Sequence, residues 1–182
     1  MTGAESGDLD QLVMAAQGGD QAALGQLLAA IRPRVLSRCR RFLPYNDDAE
    51  EAAQDALLAI ATKLPSYEHR GTFLGWVTVI TSNSARQTYR SLVQRSREQT
   101  VELMPEQIDP SRTSVVAGTR LDLLDAVEAL EQQLPATVEP FVLRDVASLP
   151  YEEIAQLTDT SLSMVKDRIH RARTFVRRAL ER

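Results

Sequence analysis

The chain has 182 residues, with 21 Lys and Arg against 25 Asp and Glu and a formal net charge of −4. That length holds one domain or two small ones with a real core, and the slight acidity argues against a protein whose whole surface binds nucleic acid. The single Cys39 excludes an internal disulfide, and two histidines, His69 and His170, make no cluster of zinc-ligand spacing. With no Gly-rich phosphate loop and no nucleophile elbow either, no catalytic residue, metal or cofactor is expected, and the chain does not look like an enzyme. No run approaches the roughly 20 apolar residues of a membrane span, and MTGAESGDLD lacks the basic start and apolar core of an export signal. A cytoplasmic protein without membrane insertion is the expectation.

Charge alternates along the chain. Residues 46–55 carry five acids and no base, 69–97 five arginines and no acid, and 98–131 are again mostly acidic, which suggests different partners for different segments. A short amphipathic helix is expected over 9–16 after a cap at Asp8, ended by Gly18 and Gly19. Asp20 caps a second helix from Gln21, with Leu24, Leu27, Leu28, Ile31, Val35, Leu36, Cys39, Phe42 and Leu43 at helical spacing and a bend at Pro33. Cys39 falls among apolar neighbours and reads as a buried structural thiol.

Asp48 is the expected cap of a third helix ending near Leu64. Ala49, Ala52, Ala53, Ala56, Leu57, Ile60 and Leu64 form one face, while Glu51, Gln54 and Asp55 share another at i, i+3 and i+4. Acids near a helix start also complement its dipole without any further role. Thr72 caps a fourth helix over 73–95. The β-branched run Val77 to Thr81 favours a strand locally, yet Phe73, Trp76, Val77 and Ile80 form an apolar helical face and Asn83, Arg86, Gln87 and Arg90 a polar one. This acid-free face, with Trp76 and Tyr89 nearby, suits phosphates and unpaired bases, although Trp76 also fits a core position.

Periodicity fades over 98–120, where Pro105, Pro110, Ser111, Thr113, Ser114 and Gly118 mark an acidic linker. A helix resumes at Leu121 and ends near Leu134 and Pro135. A short one holds Phe141, Val142, Leu143 and Val146, with Pro140 at its start. From Tyr151 to Arg173 the pattern is a helix-turn-helix: Ile154, Ala155 and Leu157 in the first helix, Asp159 in the turn, and Ser161 as cap of a second helix whose buried row is Val165, Ile169, Ala172, Val176 and Leu180. Residues 161–182 carry seven Lys and Arg against two acids. Ser161, Ser163, Lys166, Asp167, Arg168, His170, Arg171 and Arg173 are candidates for a DNA major groove. A solvated charged helix of a bundle is the plainer alternative.

The order of an acidic helix, an arginine helix, an acidic linker and a helix-turn-helix resembles the bacterial sigma factors, most closely their small extracytoplasmic-function group. DAEEAAQDALLAIATKLPSY (48–67) resembles the family's polymerase-binding helix, GTFLGWVTVITSNSARQTYR (71–90) its melted-promoter helix, and LRDVASLPYEEIAQLTDTSLSMVKDRIHRAR (143–173) its minus-35 element. The resemblance implies an all-α fold of two small helical domains, 1–97 and 121–182, joined by a flexible linker over 98–120. It implies that Asp48, Glu51, Gln54 and Asp55 meet the β′ coiled coil of core RNA polymerase, that the β flap is a second polymerase contact, and that Trp76, Asn83, Arg86, Gln87 and Arg90 hold minus-10 DNA. By the same likeness the basic helix binds minus-35 promoter DNA, and an anti-sigma factor controls the protein. Departures are Gln87 and Asp167, where the family favours Asp and a small hydroxyl residue, Asp159 for a turn glycine, and a segment over 134–141 shortened by one residue. A free-standing helix-turn-helix regulator explains residues 151–173 but not the faces around Glu51 and Asn83. A structural adaptor explains still less.

Overall fold

The computed structural model describes residues 3–99 and 115–181, with side chains over 8–95 and 122–181. Those residues form eight α-helices and no strand: α1 Gly3–Gln17, α2 Gln21–Phe42, α3 Asn46–Lys63, α4 Phe73–Gln99, α5 Val115–Gln133, α6 Pro135–Phe141, α7 Tyr151–Leu157 and α8 Leu162–Leu180. The all-α class that the resemblance implies is what the described residues adopt. Asp8 lies inside α1 instead of capping it, because the helix already begins at Gly3. Gly19 turns the chain at a φ of 96°, and Asp20 Oδ1 accepts from the amides of Ala22 at 2.8 Å and Ala23 at 3.0 Å, so the stop and the cap fall where expected.

In α2 the buried row is Ala23, Leu27, Ile31, Val35, Cys39 and Phe42, and the helix runs on past Pro33. α3 begins two residues before its expected cap. Tyr45 stands at the cap position without a side-chain bond, the Ala49 amide bonds the Tyr45 carbonyl at 3.1 Å, and Asp48 sits in the first turn. Ala49, Ala52, Ala53 and Ala56 are all buried in the contacts of α3 with α2 and α4. Methyl-sized side chains let helix axes approach to the short end of the usual range, about 8 Å.

The β-branched run from Val77 is helical within α4. Thr78 and Thr81 turn their hydroxyls back onto the carbonyls of Leu74 at 2.8 Å and Val77 at 2.7 Å, and both are buried, so packing overrides the local strand preference. Thr72 Oγ1 accepts from the Gly75 amide at 3.0 Å and caps α4 as expected. Gln17 ties α1 to the loop before α4 by donating to the carbonyls of Leu64 at 3.0 Å and Tyr67 at 2.9 Å.

α5 starts at Val115, ahead of the expected Leu121, and takes Gly118 into its span. The linker features Pro105, Pro110, Ser111, Thr113 and Ser114 lie outside the described residues. Pro135, not Pro140, opens the next helix, at a position where its missing amide proton would be unpaired anyway; Pro140 lies inside α6. The chain then widens into a π-type turn over Val142–Val146, in which the Ala147 amide reaches the Val142 carbonyl at 2.9 Å. In α7 and α8 the turn and cap are as expected: Asp159 has a φ of 50°, and Ser161 Oγ accepts from the Met164 amide at 3.3 Å. Val165, Ile169, Ala172 and Val176 are buried, but Leu180 at the end of α8 is 46% exposed and does not continue the row.

The two halves share a core. One apolar cluster joins Val77, Ile80 and Ala85 of α4 to Leu124, Val127 and Leu130 of α5 and to Ala172 and Val176 of α8. A second holds Leu143, Ala147, Leu149, Ile154, Val165 and Ile169, with Val79 of α4 packed against it. Cys39 is fully buried, and burial pushes its thiol up to about 11. At pH 8 a disulfide reagent is expected to modify native protein about two orders of magnitude more slowly than the urea-unfolded chain, because an ordinary thiol titrates near 8.5. Equal rates would show that α2 does not sit in a closed core.

Candidate functional site

Three polar faces sit on three rigid helices. On α3, Glu51, Gln54 and Asp55 are exposed together on the side opposite the buried alanines. Asp48 is half-buried. Burial pushes its carboxyl above the ordinary carboxylate value, Arg95 pulls it down, and Glu51 and Asp47 push it up. The face continues to Leu58, which is 68% exposed one turn beyond Gln54 and Asp55. The apolar face expected for α3 includes Leu57 and not Leu58, and the spacing 51, 54, 55, 58 on one helical face is the signal that points to Leu58. A single exposed leucine is ordinary on a protein surface, so Leu58 extends the face without by itself marking a partner.

On α4, Asn83, Gln87 and Arg90 are exposed, and Arg86 is half-buried. Arg86 Nη2 donates to Asn83 Oδ1, joining two members of the expected set. Burial lowers the Arg86 pKa, while Glu131 and Glu139 raise it. Arg90 Nη1 lies 3.1 Å from Glu131 Oε1, and Arg86 Nη1 lies 3.7 Å from Glu131 Oε2. Tyr89 is buried, and its hydroxyl donates to Asp125 at 2.6 Å, so its ring is not presented for base stacking here. Trp76 is partly buried in an aromatic group, 4.8 Å from the Tyr67 ring and 5.9 Å from the Phe73 ring between centroids. Charge patterning alone could not disclose the acids of α5 that meet the arginines of α4.

On α8, Lys166, His170, Arg171 and Asp167 are exposed and Arg168 is half-buried. Ser161 and Ser163 at the helix start are exposed, with their hydroxyls 3.0 Å apart. Met164, 47% exposed beside them, was not singled out from the sequence; an apolar tip there suits a thymine methyl. Asp167 lies 3.9 Å from Arg171. Arg173 stands apart from the others because Asp145 grips its guanidinium from two sides, at 2.8 Å through Nε and 2.5 Å through Nη2. That bidentate bond raises the Arg173 pKa further above its already high ordinary value.

The structure thus places Glu51, Gln54 and Asp55 together on α3 and Asn83, Arg86, Gln87 and Arg90 together on α4, while Trp76 joins an aromatic cluster and Arg173 is held apart by Asp145. α7 and α8 meet across the turn at Asp159 as a helix-turn-helix requires.

Comparison with known proteins gives the family match. The family model described as sigma-70 region 2 matches residues 27–95, and that described as sigma-70 region 4 matches residues 121–176. The chain is 31% identical over 170 residues to the ECF RNA polymerase sigma factor SigD of Mycobacterium tuberculosis, covering 90% of this chain and 80% of that protein. It is 27% identical to the RNA polymerase sigma-H factor of Pseudomonas aeruginosa, covering 94% and 93% of the two chains. Among solved structures, CnrH in complex with the cytosolic domain of CnrY shares the fold with a TM-score of 0.53 at 23% identity, covering 93% of this chain and 95% of that one.

A basic helix that screens phosphates loses affinity with salt at a slope of about −0.9 per phosphate in log–log terms. Lys166→Ala and Arg171→Ala are each expected to reduce the salt slope of duplex binding by about 1, while Arg173→Ala, already neutralised by Asp145, reduces it by clearly less. Fluorescence anisotropy of a labelled duplex over a salt series measures this. Equal losses for all three would mean that Arg173 leaves Asp145 for a phosphate.

Proposed function

The chain belongs to the extracytoplasmic-function RNA polymerase sigma factors, and on that premise we infer how its three faces divide the work of starting transcription. As a sigma factor it directs core polymerase to promoters. The face of α3 with Asp48, Glu51, Gln54 and Asp55 docks on the β′ coiled coil, and Leu58 adds an apolar centre to that contact. The face of α4 with Asn83, Arg86, Gln87 and Arg90 takes the melted minus-10 strand, where a flipped base needs edge hydrogen bonds and its phosphates need cations. Trp76 supports that face from its aromatic cluster. The face of α8 with Ser161, Ser163, Lys166, Asp167, Arg168, His170 and Arg171 enters the minus-35 major groove, with Arg173 held at its edge by Asp145.

In this division residues 1–97 form the polymerase and minus-10 unit, 98–120 the linker, and 121–182 the minus-35 unit that meets the β flap. The protein acts without catalysing a reaction of its own: binding the melted strand better than the duplex is what shifts a closed complex toward an open one. A cytoplasmic location and control by an anti-sigma factor go with this reading. No helix among the described residues is long and apolar enough to cross a membrane. The observation that carries the reading is the pairing, in one chain, of the acid-free polar face of α4 with the capped basic helix α8.

The test is run-off transcription by purified core polymerase on host genomic fragments, with and without the protein. New discrete transcripts and a one-to-one complex with polymerase on a sizing column are expected. Asn83→Ala is expected to lower open-complex yield about tenfold, in the range of losing one base-edge contact, and to leave duplex minus-35 binding unchanged. Operator binding by a dimer, with no polymerase complex and no transcript, would replace this reading with a free-standing regulator.

A further inference from the structure

We propose that Asp167 sets one base of the minus-35 element: its carboxylate takes the amino group of a cytosine in the major groove and turns away the other three bases. This assignment rests on the reading of α8 as the helix that enters that groove.

α8 carries six Lys and Arg and a single acid, Asp167. At about 100° per residue, position 167 falls about 190° round the helix from the centre of the buried row Val165, Ile169, Ala172 and Val176. The carboxylate therefore stands on the line that points away from the domain core and deepest into a groove. Ser163 shares this line one turn earlier, while Lys166 and Arg171 lie to its two sides. Short side chains on the centre line let the helix backbone come close to the base edges, and long cations at the flanks reach phosphates.

Two plainer roles account poorly for an acid at this place. Acids complement the helix dipole only within the first turn, and Asp167 is the sixth residue of α8. Its ion pair with Arg171, at 3.9 Å and with the two side chains 63% and 53% exposed, is loose and holds little in place. What Arg171 does supply is a positive charge beside the carboxylate, which offsets repulsion from the phosphates.

A carboxylate accepts hydrogen bonds and donates none. Guanine offers N7 and O6 and thymine offers O4, all acceptors that repel it, and adenine places its amino group beside an N7 lone pair. Cytosine alone presents an amino donor with no acceptor next to it on its own groove edge. General affinity falls as selectivity rises, because the same charge opposes the DNA wherever no cytosine meets it.

The experiment uses holoenzyme reconstituted from core polymerase and the full chain, with a duplex pool built on a promoter found by run-off transcription and randomised over its minus-35 positions. Bound duplexes are sequenced. The wild type is expected to select cytosine at one position about tenfold over each other base, within the range of one good base contact. Asp167→Asn, whose amide pairs an acceptor with a donor and so matches adenine, is expected to move that position to adenine on the same strand. Asp167→Ala is expected to lose the preference there, keep those at the other positions, and bind scrambled duplex more tightly than the wild type. A role in helix stability alone would not single out one position.

Cytosine selected nowhere, selected equally by all three proteins, or lost together with every other preference would overturn the assignment while leaving α8 as the minus-35 helix. No promoter from run-off transcription, or a wild-type pool with no selected position, would remove that reading of α8 and the role of Asp167 with it.

Discussion

The 27-residue helix α4 is about 40 Å long and buries side chains on more than one face. α2 and α3 cover one side, and the turn after α6 together with α7 meets another. Its polar stripe, Asn83, Arg86, Gln87 and Arg90, is what remains between those contacts. The geometry of every candidate surface follows from this: α3 is pressed outward by its alanine row, and the helix-turn-helix is seated against α4 through Val79. A long helix gripped in this way gives its polar stripe a firm backing, as a precisely placed binding surface needs.

The two contacts of α4 differ in kind. Toward α3 the packing is by buried alanines and aliphatic side chains, with Asp48 half-buried within reach of the Arg95 charge at one end. Toward α5 the contact includes the half-buried Arg86, which lies 3.7 Å from Glu131, and its Nε is buried without a partner among the described residues. Such an atom costs about 1–3 kcal/mol, while a partly exposed ion pair such as Arg90 with Glu131 returns at most about 1 kcal/mol.

The recognition unit is braced separately. Arg144 donates to the Leu149 carbonyl at 2.8 Å and lies 4.6 Å from the centre of the Tyr151 ring, pinning the widened turn after α6 to the start of α7. Ser148 holds a φ of 61° in the same connection, and Asp145 reaches from the wide turn to Arg173 on α8. The π-type turn holds Asp145 within it and presents that carboxylate to Arg173 of α8.

Local chemistry was legible in the sequence wherever one residue satisfies its own neighbourhood. Asp20 and Ser161 cap because their oxygens meet amides two or three residues on, and Asp159 turns because its short polar side chain tolerates left-handed backbone. Helical periodicity likewise placed Asn83, Arg86, Gln87 and Arg90 on one face, and Glu51, Gln54 and Asp55 on another. The misplaced cap at Asp48, the early start of α5 and the exchanged roles of Pro135 and Pro140 are boundary errors, settled by how the entering chain is packed and not by propensity. Burial of Trp76 and Tyr89, exposure of Leu58 and the capture of Arg86 and Arg90 by Glu131 were decided by tertiary structure alone. They depend on residues up to 45 positions apart in the chain being brought side by side, and no local pattern encodes that distance. The sequence by itself determined the helices, their caps and the chemistry of each face; only the folded chain decided which of those faces are open and which are held by its own acids.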